Sequence, residues 1–335
     1  MTDAVQLADD QIRALIGRLA ALDMGSWARP DVERALDELG WSFDPDDGGP
    51  LFGPGGGRGL SLITDLPMRG HASTGSSGSR DGIFELIVPV TRTKDRDRKI
   101  SAFKTTRRLV EELLWPAAWR GGGGGGERGP WIRWRRPTST VELRVDLDTV
   151  VLGLFSTKQV EETEYRAINY AEDGYGLPHC WYGIPDDLDR FMNFFPSEHR
   201  AAGWAEFEKL LADTLLDLVS DVPYFGDATS LTLRSRRKDT RWVHLEIEDN
   251  VLALQAPAMK QWPNPVRTAA FTEMGWTPPG DFWTRDFPDP GQDATEAAAR
   301  LTIGALQALD VRFPDVWQDP TMEGTTHLGL PRLGV

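Results

Sequence analysis

Val141-Glu-Leu-Arg-Val-Asp-Leu-Asp148, followed after Thr149 by Val150-Val-Leu-Gly-Leu-Phe155, is the stretch that decides the fold class. Val141, Leu143, Val145 and Leu147 alternate with Glu142, Arg144, Asp146 and Asp148, and a period of two belongs to a strand with one buried and one wet face. The expectation is an antiparallel meander with the apolar set inward and the charged set outward. Upstream, Phe103, Arg107, Val110 and Leu114 stand at helical spacing within Lys99 to Trp115, with Ile100, Leu113 and Trp115 widening the stripe before Pro116 stops it. The glycine run Gly121 to Gly126 separates this helix from a strand around Trp131.

The same order recurs downstream. Trp204, Phe207, Leu211, Leu215 and Leu218 mark a second amphipathic helix before three further strands, and Leu143–Asp146 with Val151–Leu154 is echoed by Leu245–Glu248 with Val251–Leu254. Glu38-Leu39-Gly40-Trp41 and Glu273-Met274-Gly275-Trp276 close two short helices. The Gly-Trp element precedes the helix and meander in the first half and follows them in the second, so the two units read as circularly permuted repeats. The expected class is α+β: two related units of long helices packed on twisted antiparallel sheets. Their expected extents are 1–157, a connecting segment 158–196, a second unit 197–317 and a loosely held tail 318–335.

Elsewhere, Ile12, Leu15, Ile16 and Leu19 predict a first helix over Asp9–Leu22, and Val32, Leu36 and Leu39 a second over Arg29–Leu39. Leu60 to Ile63 and Ile83 to Val90 read as strands, with His71 to Arg80 a mobile Ser/Gly-rich loop between them. Asp293 and Glu296 announce the last helix, which buries Ala298, Leu301, Ala305 and Leu309.

The 335 residues carry 37 Lys and Arg against 51 Asp and Glu, a net charge of −14 that opposes duplex nucleic acid or an anionic membrane as partner. The single Cys180 allows no internal disulfide, and no signal peptide or membrane-length apolar run is present, so the expected compartment is the cytoplasm.

No stretch supplies a catalytic constellation. His179, Cys180 and His199 lack zinc-ligand spacing; Gly53, Gly55, Gly57 and Gly59 lead into no Lys-Ser/Thr; the serines from Ser73 to Ser79 stand in no nucleophile elbow. The acidic runs at Glu161–Glu164 and Asp186–Asp189 read as solvated faces. Arg133, Trp134, Arg135 and Arg136 interleave cations with an aromatic in the manner of a single-strand nucleic-acid platform, against a duller reading as a strand edge. No cofactor and no metal site is expected. Thirteen tryptophans against five tyrosines is the compositional oddity, and Trp262, Trp283 and Trp317, beside Pro, Asp or Thr, are the candidate partner contacts.

Gly203-Trp-Ala-Glu-Phe207, Val243-His-Leu-Glu-Ile247, Met274-Gly-Trp-Thr-Pro-Pro279 and Phe313-Pro-Asp-Val316, in that order, resemble the actinobacterial type III secretion chaperone-like domains of the TY-Chap family over Gly203 to Trp317. The resemblance implies helices against a twisted antiparallel sheet, a non-catalytic role in binding peptides or proteins, and no catalytic residues. An acidic rim then favours a basic partner. The competing readings are an immunity-type protein that caps a toxin and, from another class, a hydrolase using dispersed acids.

Overall fold

The computed structural model describes residues 5–44, 59–74, 82–114, 119–122, 128–162, 180–183, 201–226, 228–238, 240–258, 264–277, 280–313, 316–322 and 327–329. The chain forms two compact units, one from Met1–Arg120 and Glu127–Gly176, the other from Gly121–Gly126 and Leu177–Val335. Among the described residues no helix is long and apolar enough to cross a membrane.

The first unit begins with β1 (Val5–Gln6), α1 (Asp9–Ala21), α2 (Arg29–Glu38), β2 (Ser42–Phe43), β3 (Gly59–Ile63), β4 (Gly70–Thr74) and β5 (Ile83–Arg92). It continues through α3 (Arg96–Leu113), β6 (Trp119–Gly122), β7 (Arg128–Arg135), β8 (Ser139–Asp146) and β9 (Thr149–Ser156). Strands run in the order β7-β8-β9-β5-β4-β3-β2, with β1 on β5. The α3 helix starts three residues before the expected Lys99 because the Asp95 carboxylate accepts the Arg98 N–H at 3.1 Å and caps it. Phe103, Leu109 and Val110 of α3 and Ile12, Leu15, Ile16 and Leu19 of α1 are buried. On the sheet, register sets Leu86, Leu154 and Val141 in one row and Val88, Leu152 and Leu143 in the next, all buried.

Three expectations for this unit are corrected. The loop expected from His71 to Arg80 begins as strand: β4 pairs β3 and β5, and Ala72 and Ser73 are buried between them. Small residues suit that position, and their low apolarity reflects a crowded site rather than an absent one. Leu147 does not face inward; it occupies the two-residue β8–β9 turn at φ 37° and is 70% exposed. Nor is the charged phase of β8 wet, since Glu142 is 2% and Arg144 8% exposed. Arg144 Nε lies 2.9 Å from both Asp146 carboxylate oxygens, and its Nη1 is 3.2 Å from Glu142 and 3.7 Å from Glu85. Arg133 Nε reaches Glu142 at 2.5 Å while its guanidinium stacks 4.0 Å over Trp131. Burial works against the charge of Arg144, yet the three carboxylates raise its pKa above the ordinary arginine value. Alternation records polarity, and here the polar phase is paired across strands instead of hydrated.

The second unit contains β10 (Cys180–Gly183), α4 (Trp204–Phe225), β11 (Thr229–Ser235), β12 (Trp242–Glu248), β13 (Val251–Pro257) and α5 (Pro265–Glu273), then β14 (Phe282–Pro288), α6 (Gln292–Ala308), β15 (Val316–Met322) and β16 (His327–Gly329). Its five-stranded antiparallel sheet has the order β14-β13-β12-β11-β15, and β10 pairs antiparallel with β16 outside that sheet. Asp249 and Asn250, at φ 46° and 62°, form the tight β12–β13 hairpin, where both central residues take positive φ. Residues 316–322 pair with β11 along its whole length, so the tail expected from 318 begins inside a strand. The connecting segment expected over 158–196 contributes β10.

Both Gly-Trp elements form the same helix stop. Gly40 at φ 70° donates its N–H to Asp37 O and Trp41 donates to Leu36 O; Gly275 at φ 79° donates to Thr272 O and Trp276 to Phe271 O. Only glycine adopts that backbone without strain, and the reversal drops each tryptophan into a core, at 1% and 2% exposure.

In the second sheet Leu231, Leu245 and Leu254 form one buried row facing α4 and α6. Leu245→Asp places a charge at that row without a partner, with an expected loss of about 4 kcal/mol or more and unfolding of the unit in urea titration. An unchanged midpoint would mean that the strand faces the other way.

Candidate functional site

Along β11, β12 and β13 every second residue is buried and its neighbours are half-buried or exposed. Helices α4 and α6 occupy the buried side, where α5 joins them through Phe271 against Trp283, and among the described residues no other helix packs on this sheet. Register arranges it in rows. At the β11–β12 end Arg234 pairs with Trp242, and beyond it Pro257 pairs with Phe282; the Trp242 and Phe282 rings lie 5.6 Å apart, closing over the strand between them. Next come Thr232, His244, Gln255 and Thr284, with Thr232 Oγ1 2.8 Å from His244 Nδ1. Then follow Ser230, Glu246, Ala253 and Asp286, and Glu248, Val251 and Pro288 complete the face. One end is therefore aromatic and basic, the other acidic.

Among the described residues the β14 edge is paired at Thr284 alone. Thr277 donates its N–H to Thr284 O at 2.9 Å, an isolated bridge that fixes which backbone groups of β14 point away from β13. By the strand period, Phe282 and Asp286 share that direction. Among the described residues no strand pairs with the edge beyond this bridge.

Of the three candidate tryptophans, Trp317 lies in β15 with its backbone paired to Arg234, level with the aromatic end of the face. Trp262 lies outside the described residues. Trp283 is not a surface contact: it is 3% exposed, stacked on Phe271 at 5.1 Å and paired with the buried Ala256. Its polar neighbours suggested a turn, but it shares the inward phase of β14. Trp242, His244 and Phe282 are missing from the sequence-derived candidates. Their signal is the polar phase of 242–248, which interleaves Val243, Leu245 and Ile247.

The nucleic-acid platform is overturned. Trp134 is fully buried in β7, Arg133 is spent on Glu142 and Trp131, and Arg136 donates to the backbone carbonyls of Leu19 and Ala20 at the end of α1. Ser73 donates to Glu85 at 2.5 Å inside the first sheet. His179 and His199 lie outside the described residues, and Cys180 opens β10. Among the described residues no three His, Cys, Asp or Glu side chains cluster as metal ligands would.

Burial lowers the pKa of both His71 and His244 below 6.5, with Glu85 and Glu246 respectively opposing it. Arg144 adds to the lowering at His71, and Asp146 counters it. The unfolded chain binds these protons more readily, so stability is complete above about pH 6.5 and falls as pH drops through and below it. Urea midpoints should be lower at pH 5.5 than at pH 7.5, and a His71→Gln, His244→Gln double variant should show a smaller drop. A drop of the same size in the variant would assign it to carboxylates instead.

No curated protein and no solved structure matches the chain. Residues 197–320, which contain the open face and the β14 edge, match the family model TY-Chap3, described as T3SS (YopN, CesT) and YbjN peptide-binding chaperone 3.

Proposed function

We propose that the second unit binds an extended segment of a protein partner, laid on the open face and added to the β14 edge, and holds it without chemical change. The observation that carries this reading is the coincidence of a strand edge that, among the described residues, is paired only at Thr284 with a sheet packed by helices on one side, inside the stretch that matches a peptide-binding chaperone family. Strand addition supplies backbone hydrogen bonds, and the rows of the face supply selectivity. Trp242 and Phe282 form the apolar anchor, while Glu246, Glu248 and Asp286 favour basic side chains at the far end. The role is that of a cytoplasmic chaperone or adaptor in a secretion or conflict system. The same acidic row and the net charge of −14 favour a second reading, an immunity-type protein that caps a basic toxin; a single stoichiometric partner distinguishes it from a chaperone that accepts many segments.

Asp286→Pro removes an outward N–H without removing a bond to β13, so it blocks strand addition while leaving the sheet paired. With the tightest decapeptide selected from a random library, fluorescence anisotropy should show binding weakened about tenfold or more. Asp286→Ala, which keeps the N–H, should bind more tightly than the proline variant. A proline variant that melts and binds like the parent would remove the edge from the mechanism.

A further inference from the structure

The last helix stops as the two Gly-Trp helices do, but without glycine. Asp310 at φ 54° donates its N–H to Gln307 O, and the buried Val311 donates to Leu306 O. Aspartate is among the few residues with a side chain that tolerate this left-handed angle, and here its carboxylate meets two arginines. It lies 3.6 Å from Arg241 and 3.7 Å from Arg267, while Arg241 donates to Asp310 O at 2.9 Å and Arg267 to Ala308 O at 3.2 Å. The unsatisfied carbonyls and the negative end of α6 are thereby neutralised.

The β11–β12 hairpin brings further cations to the same place. Ser235 donates its N–H to Arg241 O at 2.9 Å and Arg241 donates to Lys238 O at 3.0 Å, which closes the loop that carries Arg237 and Lys238. Between this loop and the end of α6 lies a cleft of about 580 Å³, the size of a small-molecule site. Ser235 shares the inward phase of β11, so the cleft belongs to the helix-packed side of the sheet. Arg237, Lys238, Arg241 and Arg312 line it, and Asp310 is the single acid among its described lining residues, although residues 197–320 carry twenty Asp and Glu against twelve Lys and Arg. The helix stop does not account for Lys238 and Arg312, which are exposed and have no ion pair among the described residues. Two lining donors also lack an acceptor there: Arg241 Nε is buried without a hydrogen-bond partner, and Ser235 Oγ accepts the Arg237 N–H at 3.2 Å, which leaves its own proton to donate. Cations gathered this way repel one another, and an anion placed between them relieves the repulsion.

We infer that this cleft binds the di- or triphosphate group of a small molecule. A guanidinium fork pairs with two oxygens at once, so a single carboxylate occupies one fork, whereas linked phosphoryl groups present enough oxygens for several cations together. A compact anion also avoids most of the repulsion that a chain of net charge −14 exerts on a long nucleic-acid backbone. The site stands apart from the peptide-binding reading, because Trp242, His244 and Glu246 belong to the opposite phase of the sheet. By joining the hairpin to the end of α6, the ligand stabilises the second unit in proportion to its occupancy.

The test titrates the full chain with inorganic pyrophosphate, at fixed ionic strength and without divalent cations, by isothermal calorimetry. The parent should bind one pyrophosphate with a Kd below about 1 mM, about tenfold more tightly than it binds inorganic phosphate. A Lys238→Glu, Arg312→Glu double variant should lose about tenfold or more of that affinity. The milder Lys238→Gln, Arg312→Gln pair should weaken binding in the same direction while keeping the parent's urea midpoint. Lys94→Glu with Lys104→Glu changes two exposed cations of the first unit, shifts the net charge by the same amount, and should bind as the parent does. ADP separates the sources of the phosphate: tighter binding than pyrophosphate assigns it to a nucleotide, and weaker binding to a free or differently esterified diphosphate. If neither pyrophosphate nor ADP binds the parent, or if the Lys94, Lys104 variant loses as much affinity as the cleft variant, the inference is overturned.

Discussion

Three consecutive strands of the second unit carry apolar residues at every second position, and that alternation permits only one side of their sheet to be dry. Leu231, Leu233, Val243, Leu245, Ile247, Leu252 and Leu254 are each at most 3% exposed beneath α4 and α6. Burying side chains of this size stabilises by about 1.5–3 kcal/mol apiece. A one-residue slip of register would turn the whole set to water, so the face that stays open is fixed by the face that cannot. The layout of the outward residues follows from this: where Trp242 and Phe282 meet, why Glu246 and Asp286 share a row, and which β14 groups point outward.

The first unit uses the same alternation to a different end. Its charged phase is buried as a paired lattice in which Arg144 serves Glu142, Glu85 and Asp146, and Arg133 bridges Glu142 to the Trp131 ring. Such networks cost desolvation that attraction repays only when every member is satisfied, and removal of one partner leaves a buried charge behind. Tolerance to substitution therefore differs between the two sheets. The polar phase of the second is half-buried or exposed and can change without unpairing a buried charge, whereas the polar phase of the first constrains its own fold.

Much of the architecture was legible because it rests on local rules. Gly40-Trp41 and Gly275-Trp276 announce helix ends through a backbone angle that only glycine takes freely, and both stops form with matching hydrogen bonds. Helix stripes such as Phe207, Leu211, Leu215 and Leu218 are equally local. What was not legible depends on pairing across the sheet. Glu142 reads as solvated until Arg133 stands opposite it, and Ala72 and Ser73 read as loop until β3 and β5 flank them. Trp283 fails for the same reason, since its depth is set by Ala256 on one side and Phe271 on the other. The open-face residues needed only one further step, which is to read the polar phase of 242–248 as a surface in its own right.

The two ends of that surface differ because they meet different helix and hairpin chemistry. At the β12–β13 end, the turn residues Asp249 and Asn250 owe their places to positive φ, which favours short polar side chains and adds acid to Glu248. At the β11–β12 end, the hairpin lies beside the last turn of α6, whose carbonyls favour cations, and Arg241 and Arg267 meet them. Charge separation along the face is therefore partly a by-product of folding.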